Sequence, residues 1–345
     1  MSARIQALGS AVPEHVYKQA EIVDEFFALR GDWQPAYTEV FRASGVERRA
    51  AVVDVHEFYA KARTTADRMD VFSPAARRLG AAAARRALDR AGPGTAAAVD
   101  ELIAVSCTGH AGPGLDVHLA ADLGLRADLA RLMIGHMGCY AALPALRTAA
   151  AVSSAGGRRV LVACVELCSL HLQPITNRED AVTSALFADG AAAVLLGPDG
   201  DGPRIVAART ATVPDSEARM GWAIGDDGFR MTLSPRVPAL VERSLPGLVG
   251  GLLADAGLTV GEVAHWVVHP GGPEILERVR RRLGLADAQL ARSAEILADG
   301  GNRSSATVLF ILDALVASGE LAPGDWVVML AFGTGLTMEA LLLRA

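Results

Sequence analysis

Apolar residues along the chain occur in two patterns: short unbroken runs, and longer stretches in which they recur every three or four positions. The first reads as buried strands and the second as helices. Strands are predicted at Ile5–Val12, Leu102–Cys107, Leu132–Gly135, Val160–Cys164 and Ala191–Leu196. Helices are predicted at Val71–Ala91, ended by Gly92-Pro93-Gly94, at Leu115–Leu123 and at Cys139–Val152. After Gly197-Pro198-Asp199-Gly200 the order repeats. Ile205–Thr212 is a strand, Val237–Ala256 a helix and Trp266–His269 a strand, followed by a helix beginning near Pro273. Ser304–Ala317 is an apolar helix, and Trp326–Leu330 and Thr337–Leu343 are the last strands. Such alternation implies α/β layers with covered sheets. The break near residues 197–203 divides the chain into halves, 1–200 and 201–345. We expect an internal duplication of βαβ units around buried central helices.

Composition narrows the class. At 345 residues the chain can bury a substantial core. No apolar run reaches the roughly 18 residues of a membrane helix, and Met-Ser-Ala-Arg-Ile-Gln lacks a signal-peptide stretch. A cytoplasmic protein is expected. The net charge of −6, without a basic run, argues against nucleic-acid binding. Cys107, Cys139, Cys164 and Cys168 have neither zinc-site spacing nor disulfide density, so reduced thiols and no metal are expected. The richness in Ala and Arg is assigned no function.

Three runs carry candidate chemistry. Cys139 stands between a strand and an apolar helix, where the positive end of a helix dipole favours a thiolate, the form that attacks a thioester. Taken alone, a buried Cys is more often a core residue. His269 ends an apolar strand before Pro-Gly-Gly-Pro, at the edge where sites assemble in α/β sheets. It can hold the thiolate as an ion pair and donate a hydrogen bond to a carbonyl gaining charge. Asn302, in Gly301-Asn-Arg-Ser-Ser, reads in isolation as a turn or cap. Beside a Cys and a His it is a second donor that cannot ionise. Phe187 reads as core by periodicity, and His110 and His136 as structural.

Together these runs resemble the type III polyketide synthases, the chalcone-synthase-like branch of the thiolase superfamily. The matching pieces are Gly138-Cys-Tyr-Ala, Ala185-Leu-Phe-Ala-Asp-Gly-Ala, His269-Pro-Gly-Gly-Pro, Gly301-Asn-Arg-Ser-Ser-Ala and Phe332-Gly-Thr-Gly-Leu-Thr. They span most of the chain in the family's order. Met220-Gly-Trp-Ala-Ile-Gly-Asp-Asp-Gly-Phe is similar to the bacterial members. The resemblance implies a thiolase-like, five-layered αβαβα fold, a homodimer, and neither metal nor redox cofactor. It implies that Cys139 is the acylated nucleophile, with His269 and Asn302 as the decarboxylation and oxyanion pair. It makes Phe187 a gate residue and Gly333 and Gly335 part of a cavity-shaping loop. Where relatives carry a cavity Thr or Ser, this chain has Cys107 or Thr108. Met231 replaces a second gate Phe. Glu47 stands near the position of a CoA-binding Lys, with Arg42, Arg48 and Arg49 close by.

The expected reaction is a decarboxylative Claisen condensation of acyl-CoA or acyl-carrier-protein thioesters with a malonyl-type extender, giving an aromatic or α-pyrone product. The alternatives are a ketosynthase that joins two carrier-bound β-ketoacyl chains into an α-pyrone, and a fatty-acid initiating ketosynthase. The latter's His motif usually continues Gln-Ala-Asn rather than Pro-Gly-Gly. A degradative thiolase needs a second catalytic Cys in the C-terminal half, and all four cysteines lie at or before Cys168. A papain-like protease shares the order Cys, His, Asn, but Gly-Cys-Tyr-Ala does not fit its Cys context. A non-catalytic acyl-binding scaffold predicts an unreactive Cys139.

Overall fold

The structure, a computed structural model, describes residues 3–29 and 33–345. The first half runs β1 (Arg4–Ala11), β2 (His15–Lys18), α1 (Gln19–Glu25), α2 (Pro35–Arg42), β3 (Arg48–Ala51), α3 (Val55–Tyr59) and α4 (Thr65–Ala91). It continues through β4 (Glu101–Ser106), α5 (Leu115–Asp122), β5 (Ala130–Gly135), α6 (Ala142–Gly156), β6 (Val160–Leu167), α7 (Arg178–Leu186) and β7 (Asp189–Gly197). The second half begins with β8 (Arg204–Thr212), β9 (Met220–Gly225), β10 (Gly228–Leu233), α8 (Val237–Leu245), α9 (Gly251–Ala254) and β11 (Val263–Val268). It ends with α10 (Pro273–Leu283), α11 (Asp287–Gly300), α12 (Thr307–Ser318), β12 (Trp326–Gly333) and β13 (Thr337–Arg344).

Among the described residues nine strands form one mixed sheet in the order β11-β12-β13-β8-β1-β7-β6-β4-β5. Its two parts are joined through a single residue pair, Arg4 with Arg204. Each part has the same internal order: first strand, last strand, second-last strand, then the strand after the long helix region. That is β1-β7-β6-β4 on one side and β8-β13-β12-β11 on the other, with β5 added to the first. Between the two parts lie α6 and α12. Leu143 and Leu146 of α6 and Ile311 and Leu312 of α12 share one core with Val162 and Val194 of the first sheet and Val327 and Leu341 of the second. α4 covers the outer face of the first sheet, and α8, α9 and α10 that of the second. The layers are therefore helix, sheet, helix, sheet, helix, the thiolase-like arrangement expected.

Local chemistry explains where the elements differ from the sequence pattern. α4 starts at Thr65, six residues before the apolar pattern does. Thr64 Oγ1 accepts from Asp67 N at 3.2 Å and Asp67 Oδ2 accepts from Thr64 N at 2.8 Å, a capping box. The alanines of α4 have a packing role: Ala76, Ala84 and Ala87 are fully buried in the first core. The predicted helix Val237–Ala256 is interrupted by a π turn at Pro246–Gly250, where proline supplies no N–H. The helical run Val237–Ala254 is long and apolar enough to cross a membrane by length and composition. Its Val241, Leu245, Val249 and Leu252 pack into the second half's core, and it carries Glu242 and Arg243. α7, α11 and the β9–β10 hairpin were not predicted.

Candidate active site

The turn that carries Cys139 leaves β5 at Gly135 and enters a 3-10 turn at Gly138–Tyr140; α6 proper starts at Ala142, later than predicted. Gly138 has φ +73°, a region that favours glycine, and a Cβ there would press on Thr334 Cγ2 at 3.2 Å. The other wall of this seam comes from the end of β12. A Cβ on Gly333 would run into the Tyr140 ring and the Met137 carbonyl. Thr334 Oγ1 donates to Met137 O at 3.2 Å, and Gly335 O accepts from Ser216 Oγ at 3.1 Å. Gly333 and Thr334 thus hold the second half against the Cys139 turn, Gly335 is tied to Ser216 within the second half, and the neighbouring Phe332 faces the cavity.

Asn302 is fixed by the turn before α12. Its Oδ1 accepts from Ser304 N at 2.9 Å and from Thr307 Oγ1 at 3.4 Å, which leaves the amide N–H groups as its free edge. That side chain hydrogen-bonds with the Cys139 thiol, as does Ser304. Ser304 adopts φ +46°, a strained conformation for a side-chain-bearing residue. The backbone of Asn302 pairs with the end of α7: Asn302 N donates to Leu186 O at 2.8 Å and Ala188 N to Asn302 O at 2.9 Å. Phe187 is thereby set beside Asn302, and its ring packs with Cys139, Cys168 and Leu186.

His269 follows β11, its backbone N–H held by Leu330 O at 2.8 Å. The residue is 1% exposed, yet neither Nδ1 nor Nε2 has a hydrogen-bond partner among the described residues. A buried polar atom without a partner costs about 1–3 kcal/mol. Two on one ring mark a site arranged for a group that arrives later.

The structure corrects the expectation of a thiolate at rest. Burial pushes the Cys139 thiol up to about 12, against smaller downward effects of Ser304, Asn302 and the backbone. Burial likewise pushes His269 down to about 3. Both are neutral in the free protein, because desolvation exceeds the dipole of α6. The thiol is 2% exposed and does not form part of the cavity wall.

A cavity of about 720 Å³ is lined by His269, Asn302, Phe187, Met231 and Phe332, among others from α2, α7, α8 and α10. Phe187 and Asn302 border both this cavity and Cys139. Met231 packs against the same thiol-bearing cluster. Cys107 and Thr108 lie off the cavity, in a buried network around Glu166 that adjoins Cys139 through Ser304. Glu166 accepts from Cys107 N at 3.0 Å, from Thr108 Oγ1 at 2.8 Å and from Ser305 Oγ, and Cys107 Sγ lies 3.3 Å from Ser304 Oγ. Burial pushes the Glu166 carboxyl and the Cys107 thiol up. Sequence reasoning missed Glu166, although a lone acid inside Val160–Leu167 was a signal. Arg42 and Arg48 are exposed outside the cavity, paired with Glu39 and Asp299. Arg49 is buried and donates to the carbonyls of Ser184, Ala185 and Phe187, so it clamps the end of α7. Among the described residues no group of three His, Cys, Asp or Glu is placed to hold a metal.

Comparison with known proteins agrees with this arrangement. The N-terminal domain model of chalcone and stilbene synthases matches residues 1–200 and the C-terminal domain model residues 204–345. A 1,3,6,8-tetrahydroxynaphthalene synthase of Streptomyces peucetius subsp. caesius is 34% identical over 99% of this chain and 92% of its own. An alpha-pyrone synthesis polyketide synthase-like protein, Pks18, of Mycobacterium tuberculosis is 32% identical over 99% of this chain and 90% of its own. Among solved structures, PKS-I of the brown alga Ectocarpus siliculosus superposes with a TM-score of 0.92 at 28% identity, covering 99% of this chain and 98% of that one. The C-terminal type III polyketide synthase domain of Steely1 from Dictyostelium gives 0.92 at 26%, covering 100% and 99%.

Proposed function

The chain belongs to the chalcone and stilbene synthase family, and we propose that it is a type III polyketide synthase that condenses acyl thioesters with a malonyl-type extender through an acyl-Cys139 intermediate. One observation carries the reading. His269 has two unpartnered ring nitrogens, Asn302 has a free amide edge, both face one apolar cavity, and Asn302 also touches the Cys139 thiol.

The chemistry follows from those groups. Neutral His269 accepts the Cys139 proton as the sulfur attacks the acyl carbonyl, and the departing thiol of the carrier takes that proton back. The malonyl thioester then loses CO2. Its enolate oxygen is held by His269 N–H and Asn302 N–H, donors fixed beforehand in a dry site. The enolate carbon attacks the acyl-Cys139 carbonyl and the sulfur leaves as thiolate. Each round lengthens the chain by two carbons before cyclisation. Phe187, bordering both thiol and cavity, is the gate through which the acyl group reaches the sulfur, and Met231 lines the same passage.

Incubation with a panel of acyl-CoA thioesters, followed by intact-mass measurement and peptide mapping, tests the reading. An acyl adduct on the peptide carrying Cys139 is expected; an adduct elsewhere, or none with any thioester, would sink it. We also propose a cytoplasmic homodimer joined along β5. Among the described residues only β4 pairs with that edge strand, and Leu132 and Met133 on it are exposed. A monomer in sedimentation at micromolar concentration would overturn the dimer.

A further inference from the structure

An α-helix leaves its last four carbonyls without a partner inside the helix, and in α7 all four are taken. Thr183 O accepts from Phe187 N at 3.3 Å, the bond that closes the helix. Leu186 O accepts from Asn302 N at 2.8 Å. Ser184 O accepts from Nη1 of Arg49, and Ala185 O from Nη2 at 2.6 Å. Nη1 also donates to Phe187 O at 3.2 Å. Just beyond β3, Val52 N donates to Asp189 Oδ2 at 2.8 Å. The segment 184–189 is therefore gripped from two sides. Ser184, Ala185, Phe187 and Asp189 are held from β3 and the residue after it, and Leu186 and Ala188 from the backbone of Asn302. Phe187 stands inside that grip, its ring packed with Cys139, Cys168 and Leu186 and 6.0 Å from the Trp222 ring.

Arg49 is built into the protein. It is 4% exposed, and its guanidinium lies 5.8 Å and 6.0 Å from the ring centres of Phe27 and Phe41. Its Nη2 also donates to Gln19 Oε1. Gln19 is buried too, and its Nε2 donates to Ala185 O at 2.9 Å and to Ser44 Oγ at 3.1 Å. Ser44 lines the cavity just past α2, so one polar cluster joins the ends of α2 and α7 along a single wall. The cation meets carbonyls and an amide oxygen at the negative end of the α7 dipole. Burial pushes it down to about 9, with Asp189 acting against that, so it stays charged at neutral pH. A group that only capped α7 needs Ser184 and Ala185. The third bond, to Phe187 O, falls beyond the helix. A planar fork reaches all three carbonyls at once, which the single amine of a lysine does not.

We propose that Arg49 is a positioning residue for the passage to the sulfur: by holding Phe187 O together with the end of α7, it fixes the Phe187 ring between the cavity and Cys139 and so sets which acyl groups reach the thiol. This rests on the reading of Phe187 as the gate and adds what keeps the gate in place.

Access to Cys139 is read directly as its rate of alkylation by iodoacetamide, followed by mass spectrometry. The proteins are the parent, Arg49→Lys, Gln19→Met, Phe187→Ala and Arg49→Lys/Phe187→Ala. Arg49→Lys is expected to alkylate about fivefold faster or more, the effect of one or two lost hydrogen bonds on a local opening. Gln19→Met keeps the bulk but loses the contact with Arg49. It should act in the same direction more weakly, and it decides the matter if Arg49→Lys does not fold. Once the ring is gone, in Phe187→Ala, the Arg49 change should add nothing. Val328→Ala weakens the core of the second half with the clamp intact and should alkylate as the parent does. In acyl loading, the rate with decanoyl-CoA relative to acetyl-CoA should rise in Arg49→Lys, whereas a general loss of fold lowers both alike. An unchanged alkylation rate, an equal gain in the Phe187→Ala background, a matching gain in Val328→Ala or an unchanged loading ratio would overturn the proposal. If alkylation shows the coupling but no thioester acylates Cys139, the clamp stands and the proposed reaction falls.

Discussion

The turn before α6 and the turn before α12 occupy equivalent places in the two halves. Each leads into a helix buried between the sheets, and each passes through a glycine with positive φ, Gly138 at +73° and Gly301 at +69°. The approaches differ. An extra edge strand, β5, delivers Cys139, whereas a helix, α11, delivers Asn302. The contents differ too: one turn presents a thiol, the other an amide whose oxygen is tied back by Ser304 N and Thr307 Oγ1. A duplicated scaffold has brought two helix starts to one point. In the reaction we propose, the first half supplies the bond-forming atom, and the second, with His269 after β11, supplies the donors that hold a developing negative charge.

If the division is real, the halves can be broken separately. Cys139→Ala should lose acyl adduct and polyketide entirely yet still release CO2 from a malonyl thioester, since His269 and Asn302 remain. Loss of CO2 release together with condensation would show that the labour is not divided. Asn302→Ala should do the reverse, keeping the acyl adduct in mass measurement while decarboxylation falls about 10²–10³-fold.

A smaller effect concerns the buried imidazole. His269 has a folded value of about 3 against about 6.5 unfolded, so the folded state keeps it neutral. Its contribution is fully present above pH 6.5 and is lost as pH falls toward 3. Urea unfolding at pH 7 and pH 5 should therefore show the parent losing about 2 kcal/mol more than His269→Gln. Equal losses would mean that the ring is charged or solvated in the folded protein.

The mildest test concerns the thiol at rest. With Cys139 raised to about 12, its alkylation by iodoacetamide should speed up about tenfold per pH unit from 7 to 10 without levelling off. A plateau near neutrality would restore a resting thiolate–imidazolium pair and blur the distinction between a neutral nucleophile and neutral donors.

Much of this was written into the chain locally. Unbroken apolar runs announced β4, β6, β7, β11 and β12, since a strand covered on both faces has no polar side. The repeat of the order after Gly200 announced the duplication. Gly138-Cys139, His269-Pro-Gly-Gly and Gly301-Asn302 pointed to three side chains that the fold brings to one region, since each depends on a nearby turn. α7 and α11 were not legible, being polar on one face and stabilised by contacts distant in sequence.

What the sequence by itself determined is the main buried strands and helices and the candidate groups at their ends, because both follow from hydrophobic period and turn chemistry within a few residues. Only the tertiary structure decided the state of those groups. The charge on Cys139 and His269 is set by how much water the surrounding layers remove, and Glu166 gains meaning only from neighbours far away in the chain. Desolvation and pairing are properties of three-dimensional surroundings, which spacing along a chain does not encode directly.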